Sequence, residues 1–140
     1  MKLLNWDLNF LMENKIIVVR EENQDWLKSE EQGELRWKLL VDSSIGSSSG
    51  ISLGLVKIKP NYELPLHHHH PNEIYLIKRG TGLLIKSKKS IKLKTGDAVY
   101  IPKNAVHGLR NIGPTSLLLY WVFPTDSWEE VKYNLSLIHI

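Results

Sequence analysis

The stretch HHHHPNEIYLIKRG, residues 67–80, constrains this chain more than any other. It sets four of the six histidines side by side and places Glu73 three residues past the last of them. Strand side chains alternate between faces, so residues of one parity share a face. His67, His69, Glu73 and Tyr75 have the same parity, while His68 and His70 form a rival pair that would face away from Glu73. Two imidazoles and one carboxylate on one strand face suit a divalent first-row metal ion. Pro71 sits inside the run and can disturb the alternation.

Such a site needs another donor, and His107 and His139 are the remaining histidines. His139 is penultimate and is set aside. His107 lies in GDAVYIPKNAVHGLRN, residues 96–111, a strand entered and left through turn residues. The candidate ligand set is therefore His67, His69, Glu73 and His107. The histidine run is internal and flanked by strand sequence, which does not fit an expression tag. Buried histidines without a metal are the bland alternative. A buried carboxylate left beside them unpaired is costly, and a metal removes that cost.

Three neutral imidazoles and a carboxylate around a divalent ion leave a net charge near +1. That charge attracts an anionic oxygen donor such as a substrate carboxylate, which the ion could polarise as a Lewis acid. Tyr75 shares the expected face, and a nearby cation lowers a phenol's pKa toward a usable base. Its plainer role is an aromatic filling a barrel.

Around these residues the chain reads as short strands and frequent turns, the rhythm of an all-β sandwich or barrel. Strands are expected over residues 34–42, 51–59, 62–70, 73–78, 83–87, 91–94, 98–102 and 117–123, with a loop at SSIGSSSG, residues 43–50. Residues 15–20 read as a further strand. EENQDWLKSEEQ, residues 21–32, reads as a short N-terminal helix, acidic at its start and followed by Gly33.

His67-x-His69, Glu73 and Gly80 resemble the first cupin motif, and Gly96, Pro102, His107 and Asn111 resemble the second. Asn104 stands where the second motif usually has glycine, and asparagine tolerates the left-handed backbone region. More widely, RWKLLVD, SSSGISLG, HHHHPNEIYLIKRGTG, GDAVYIPKNAVHGLRN and YWVFPTDSWEEVKY resemble the small single-domain dimethylsulfoniopropionate (DMSP) lyases of marine bacteria, between Arg36 and Tyr133. The resemblance implies a double-stranded β-helix, a jelly-roll barrel, over residues 36–133. Residues 1–35 form an extension before it and residues 134–140 a tail after it. It also implies one divalent transition metal ion (Fe, Mn, Ni or Zn) on His67, His69, Glu73 and His107. Tyr75 would be the catalytic base, Tyr133 a second catalytic tyrosine, and the protein a homodimer.

The implied function is a carbon–sulfur lyase that cleaves DMSP to dimethyl sulfide and acrylate. A sulfonium cation favours aromatic walls, for which Trp37, Tyr120, Trp121 and Tyr133 are candidates. The plainer reading of each is a core aromatic. Another metal-dependent cupin enzyme, a dioxygenase or isomerase of a small carboxylate, is the second reading. A non-catalytic small-molecule-binding cupin is the third; no stretch offers the helix-turn-helix that sensory cupins usually carry.

Composition decides the remaining classes. With no cysteine, thiolate ligands, thiol nucleophiles and disulfides are excluded. A net charge of +3 raises nucleic acid as a partner, but much of the excess lies in IKSKKSIKLKTG, residues 85–96. No aromatic residue interleaves those lysines, so they read as a solvated hairpin face that discourages edge pairing. The start carries Asp7, Glu13 and no small-residue cleavage site, and the longest apolar run, residues 117–124, is far short of the ~20 residues of a membrane helix. A cytoplasmic protein acting on a small carboxylate or zwitterion, with no nucleic acid and no membrane, is the expectation.

Overall fold

A computed structural model describes residues 15–136. Ten strands form two five-stranded antiparallel sheets. The first contains β1 (Arg36–Val41), β2 (Ser52–Ile58), β9 (Leu117–Phe123), β4 (Glu73–Arg79) and β7 (Ala98–Ile101), in that spatial order. The second contains β10 (Asn134–Leu135), β3 (Glu63–His68), β8 (His107–Asn111), β5 (Thr81–Ile85) and β6 (Ser90–Lys94). Strands that neighbour in space are often distant in sequence, as in a jelly roll.

Period-two patterning makes the core. In β9, Leu117, Leu119, Trp121 and Phe123 are buried while the residues between them are half-exposed. In β4, Glu73, Tyr75 and Ile77 point inward and Ile74 and Leu76 outward. Burying a side chain such as Phe123 or Ile77 contributes roughly 1.5–3 kcal/mol each, so a one-residue slip, which would turn every one of them to solvent, is strongly disfavoured. Asn111 is fully buried and hydrogen-bonded at both ends of its amide: Nδ2 donates to the carbonyls of Ile58 and Thr115, and Oδ1 accepts from Gly113 N–H.

The predicted helix over residues 21–32 does not form; a three-residue 3-10 turn, Glu21–Asn23, is all the helix there. The apolar residues of this segment, Trp26 and Leu27, are adjacent and give no helical stripe. Its groups bond the barrel instead. Leu27 exchanges backbone hydrogen bonds with Trp37 on β1. Lys38 Nζ donates to the Glu21 carbonyl at 3.0 Å, and the Trp26 ring lies against the ammonium groups of both Lys38 and Lys57. The predicted strand at residues 15–20 does not form among the described residues: the segment pairs with no other strand there, and Ile16 is 88% exposed. The tail begins with a short strand, β10, paired to His67 and His68. No helix among the described residues is long and apolar enough to cross a membrane.

Candidate metal centre

Three elements converge on the histidines. His67 is the penultimate residue of β3 and lies directly across the ladder from His107, the first residue of β8, with ring centroids 4.2 Å apart. His69 follows in the turn after β3, and Glu73 opens β4 on the opposite sheet. The alternation survives Pro71: His67, His69 and Glu73 are all buried, while His68 is half-buried and His70 exposed. The turn containing Asn104 fixes the remaining geometry. Asn104 adopts φ 61° and its N–H donates to the His69 carbonyl at 2.9 Å.

Each histidine is oriented by a backbone carbonyl two residues away. Nδ1–H of His67 donates to Pro65, that of His69 to Pro71, and that of His107 to Ala105, each at 2.8 Å. A carbonyl can only accept, so the proton sits on Nδ1 and Nε2 keeps its lone pair. One ring nitrogen from each histidine lies within 4.8 Å of the others. Glu73 Oε1 lies 3.0 Å from His69 Nε2 and 3.4 Å from His107 Nε2, and His107 Nε2 is buried with no hydrogen-bond partner among the described residues.

Facing lone pairs and a carboxylate repel unless a positive charge sits among them. A proton on His69 relieves one contact; there burial disfavours the charge but the Glu73 carboxylate outweighs it and raises the pKa. His67 goes the other way. Burial, and then the charge of His107, push it down to about 4, so it stays a neutral donor. One proton leaves His107 Nε2 unsatisfied, whereas a divalent cation meets all four groups at once. The three histidines could hold a metal ion, and Glu73 Oε1 lies within 3.4 Å of two of their Nε2 atoms.

This cluster opens into a cavity of about 770 Å³, within the usual range for a small-molecule site. Tyr75 lines it beside His107, and Tyr133 lies over the rings of His67 and His69 at 5.3 and 5.5 Å. Burial first, and then the Glu73 charge, push the Tyr75 phenol above its ordinary value; the same causes raise the Tyr133 phenol, although that residue as a whole is 43% exposed. Trp37 and Trp121 line the cavity as well. A Cβ on Gly54 would lie 2.1 Å from the Trp121 ring, so β2 needs glycine where that ring crosses it.

Tyr120 belongs elsewhere. It is on the outer face of the first sheet, where its hydroxyl donates to Glu21 Oε1 at 2.6 Å and Lys78 pairs with the same carboxylate. Its neighbours Leu119 and Trp121 take the inward positions. His139 lies outside the described residues.

Sequence reasoning missed Trp128, which lines the cavity and meets Trp37 edge to face at 5.6 Å. It opens a 3-10 helix, Trp128–Glu130, whose capping box is written in the sequence as Ser127-x-x-Glu130. Reading that box would have marked Trp128 as held rather than loose.

The cupin domain family matches residues 54–123. The chain is 31% identical over 104 residues to dimethylsulfoniopropionate lyase DddW of Ruegeria pomeroyi, covering 74% of this chain and 68% of that protein. Among solved structures, the polyketide cyclase RemF of Streptomyces resistomycificus superposes with a TM-score of 0.72 at 19% identity, covering 87% of each chain. A chain from the crystal structures of the DMSP lyases RdDddP and RnDddQII superposes with a TM-score of 0.66 at 18% identity, covering 81% of this chain and 62% of that one. The two superpositions establish the fold alone; the domain match, spanning half of the sequence, shows that this chain belongs to the cupin superfamily.

Proposed function

We propose that the protein is a metal-dependent carbon–sulfur lyase that cleaves DMSP to dimethyl sulfide and acrylate by β-elimination. The observation that carries this reading is the cluster of His67, His69, His107 and Glu73 at the edge of a cavity that His67, Glu73 and Tyr75 line. The relative named as a DMSP lyase, 31% identical over 104 residues, supports DMSP as the substrate.

His67, His69, Glu73 and His107 would hold one divalent ion, Fe, Mn, Ni or Zn. Bound there, it supplies positive charge that draws the substrate carboxylate and favours the phenolate of Tyr75. Tyr75 takes the proton from the carbon next to the carboxylate. The C–H electron pair becomes the double bond of acrylate, and the C–S bond breaks with its pair on sulfur, so dimethyl sulfide leaves. Tyr133 covers His67 and His69 and restricts water from the reacting carbons. Trp37 and Trp121 line the same space.

One observation favours a second reading. A zwitterion as small as DMSP fills only part of about 770 Å³, which leaves room for elimination or isomerisation of a larger carboxylate. The test is headspace dimethyl sulfide from protein loaded in turn with Fe(II), Mn(II), Ni(II) and Zn(II). The expected result is metal-dependent release, with Tyr75→Phe reduced by about 10²–10⁴-fold and His107→Ala inactive. A folded, metal-loaded protein that releases none with any ion removes DMSP and leaves the larger carboxylate.

A further inference from the structure

The cavity's charge is unlike that of the molecule around it. The chain carries 18 lysines and arginines and a net charge of +3. Yet among the described residues no lysine or arginine lines the cavity, whereas Glu31 and Glu73 do. Beyond His67 its walls include three tryptophans, Trp37, Trp121 and Trp128. The Nε1 of each is buried in the wall without a hydrogen-bond partner among the described residues. What these side chains offer the cavity is therefore ring carbon with its π density rather than N–H donors. Trp37 and Trp128 meet at 65°, forming an aromatic corner.

An aromatic corner in a cavity that no described lysine or arginine lines, with a carboxylate at Glu31, favours a cation over a neutral group of equal shape. The histidine end suits a carboxylate. We propose that Trp37 and Trp128, with Glu31, form an onium subsite, and that Trp128 makes the site select carboxylates bearing a sulfonium or quaternary ammonium group over neutral branched acids. The inference rests on the zwitterion reading above and adds a specificity residue to it.

Inert probes separate the two. Dimethylsulfonioacetate and glycine betaine have no β-carbon to eliminate across, and 3-methylbutanoate and 3,3-dimethylbutanoate are their neutral isosteres. Calorimetry on the metal-loaded protein gives the dissociation constants without turnover. The expected result is that each onium acid binds about tenfold more tightly than its isostere. Trp128→Leu brings the ratio close to one, Trp128→Phe retains part of it, and Glu31→Gln lowers it severalfold. Equal binding of onium acid and isostere by the wild type overturns the proposal, whatever the Leu variant does. So does a ratio unchanged in a folded Trp128→Leu protein. Dimethyl sulfide release with equal binding of the isosteres leaves the lyase and removes the subsite; onium preference without release does the reverse.

Discussion

At the scale of single residues, the centre is held by backbone carbonyls. Three imidazoles each give their Nδ1 proton to a carbonyl two residues away, which leaves Nε2 free to bind. Asn104 governs two of them, because its turn carries the N–H that meets the His69 carbonyl and leads into Ala105, whose carbonyl orients His107. Its φ of 61° is left-handed, a region that costs most residues about 1–2 kcal/mol. Asn104→Gly should therefore leave the thermal midpoint nearly unchanged. Asn104→Val should lower stability by about 1–3 kcal/mol and weaken metal binding, read by denaturation and metal titration of the two variants. Equal stability of the two would mean that the left-handed turn is not what positions the histidines. This requirement was visible in the sequence, where asparagine replaces the motif's glycine. The direction of Tyr120 was not, because an aromatic beside another in LLLYWVF takes its face from the pairing register, which only the neighbouring strands decide.

At the scale of elements, the strands were legible because burial on one face writes a period of two into the sequence. The segment over residues 21–32 was misread because acidic residues and a following glycine signal helix ends without saying whether a helix lies between them. Its interactions are with distant partners, Lys38, Lys57, Lys78 and Tyr120, which sequence distance hides. The 3-10 helix carrying Trp128 depends on a similar distant contact. Asp42, 1% exposed, accepts from the Trp128 N–H at 3.0 Å and from the N–H and hydroxyl of Ser44. Burial alone would raise its pKa, but the Ser44 and Trp128 hydrogen bonds outweigh it and hold the carboxyl below the ordinary 3.8. A depressed carboxyl contributes stability that is fully present above the unfolded-state value and is lost as pH falls through the folded-state value. Asp42→Asn should cost about 1–3 kcal/mol at neutral pH. The gap from wild type should close as pH falls below 3.8, measured as urea midpoints across the acid range. A gap independent of pH would mean that shape rather than charge holds Trp128 in the wall.

At the scale of the whole molecule, the candidate metal centre draws on both sheets. His67 and His107 belong to the second sheet and Glu73 to the first, with His69 in the turn between β3 and β4. An ion bound by all four bridges both layers, and the unfolded chain has no such preformed site. Binding to the folded state alone stabilises it by about 2.7 kcal/mol at roughly a hundredfold excess over Kd. For a domain of this size that corresponds to a rise of roughly 5–10 °C in Tm. Metal-loaded protein should therefore melt higher than chelator-treated protein, with the rise growing with free metal concentration. The increment should vanish in His67→Ala and His107→Ala, whose metal-free midpoints give the separate cost of losing a buried side chain. Glu73→Gln should keep a reduced increment, since the histidines remain but the carboxylate charge does not. If wild type and His107→Ala gain equally from Zn(II), Ni(II) and Mn(II), the ions bind elsewhere, and the three imidazoles with Glu73 are a buried polar cluster rather than a metal centre.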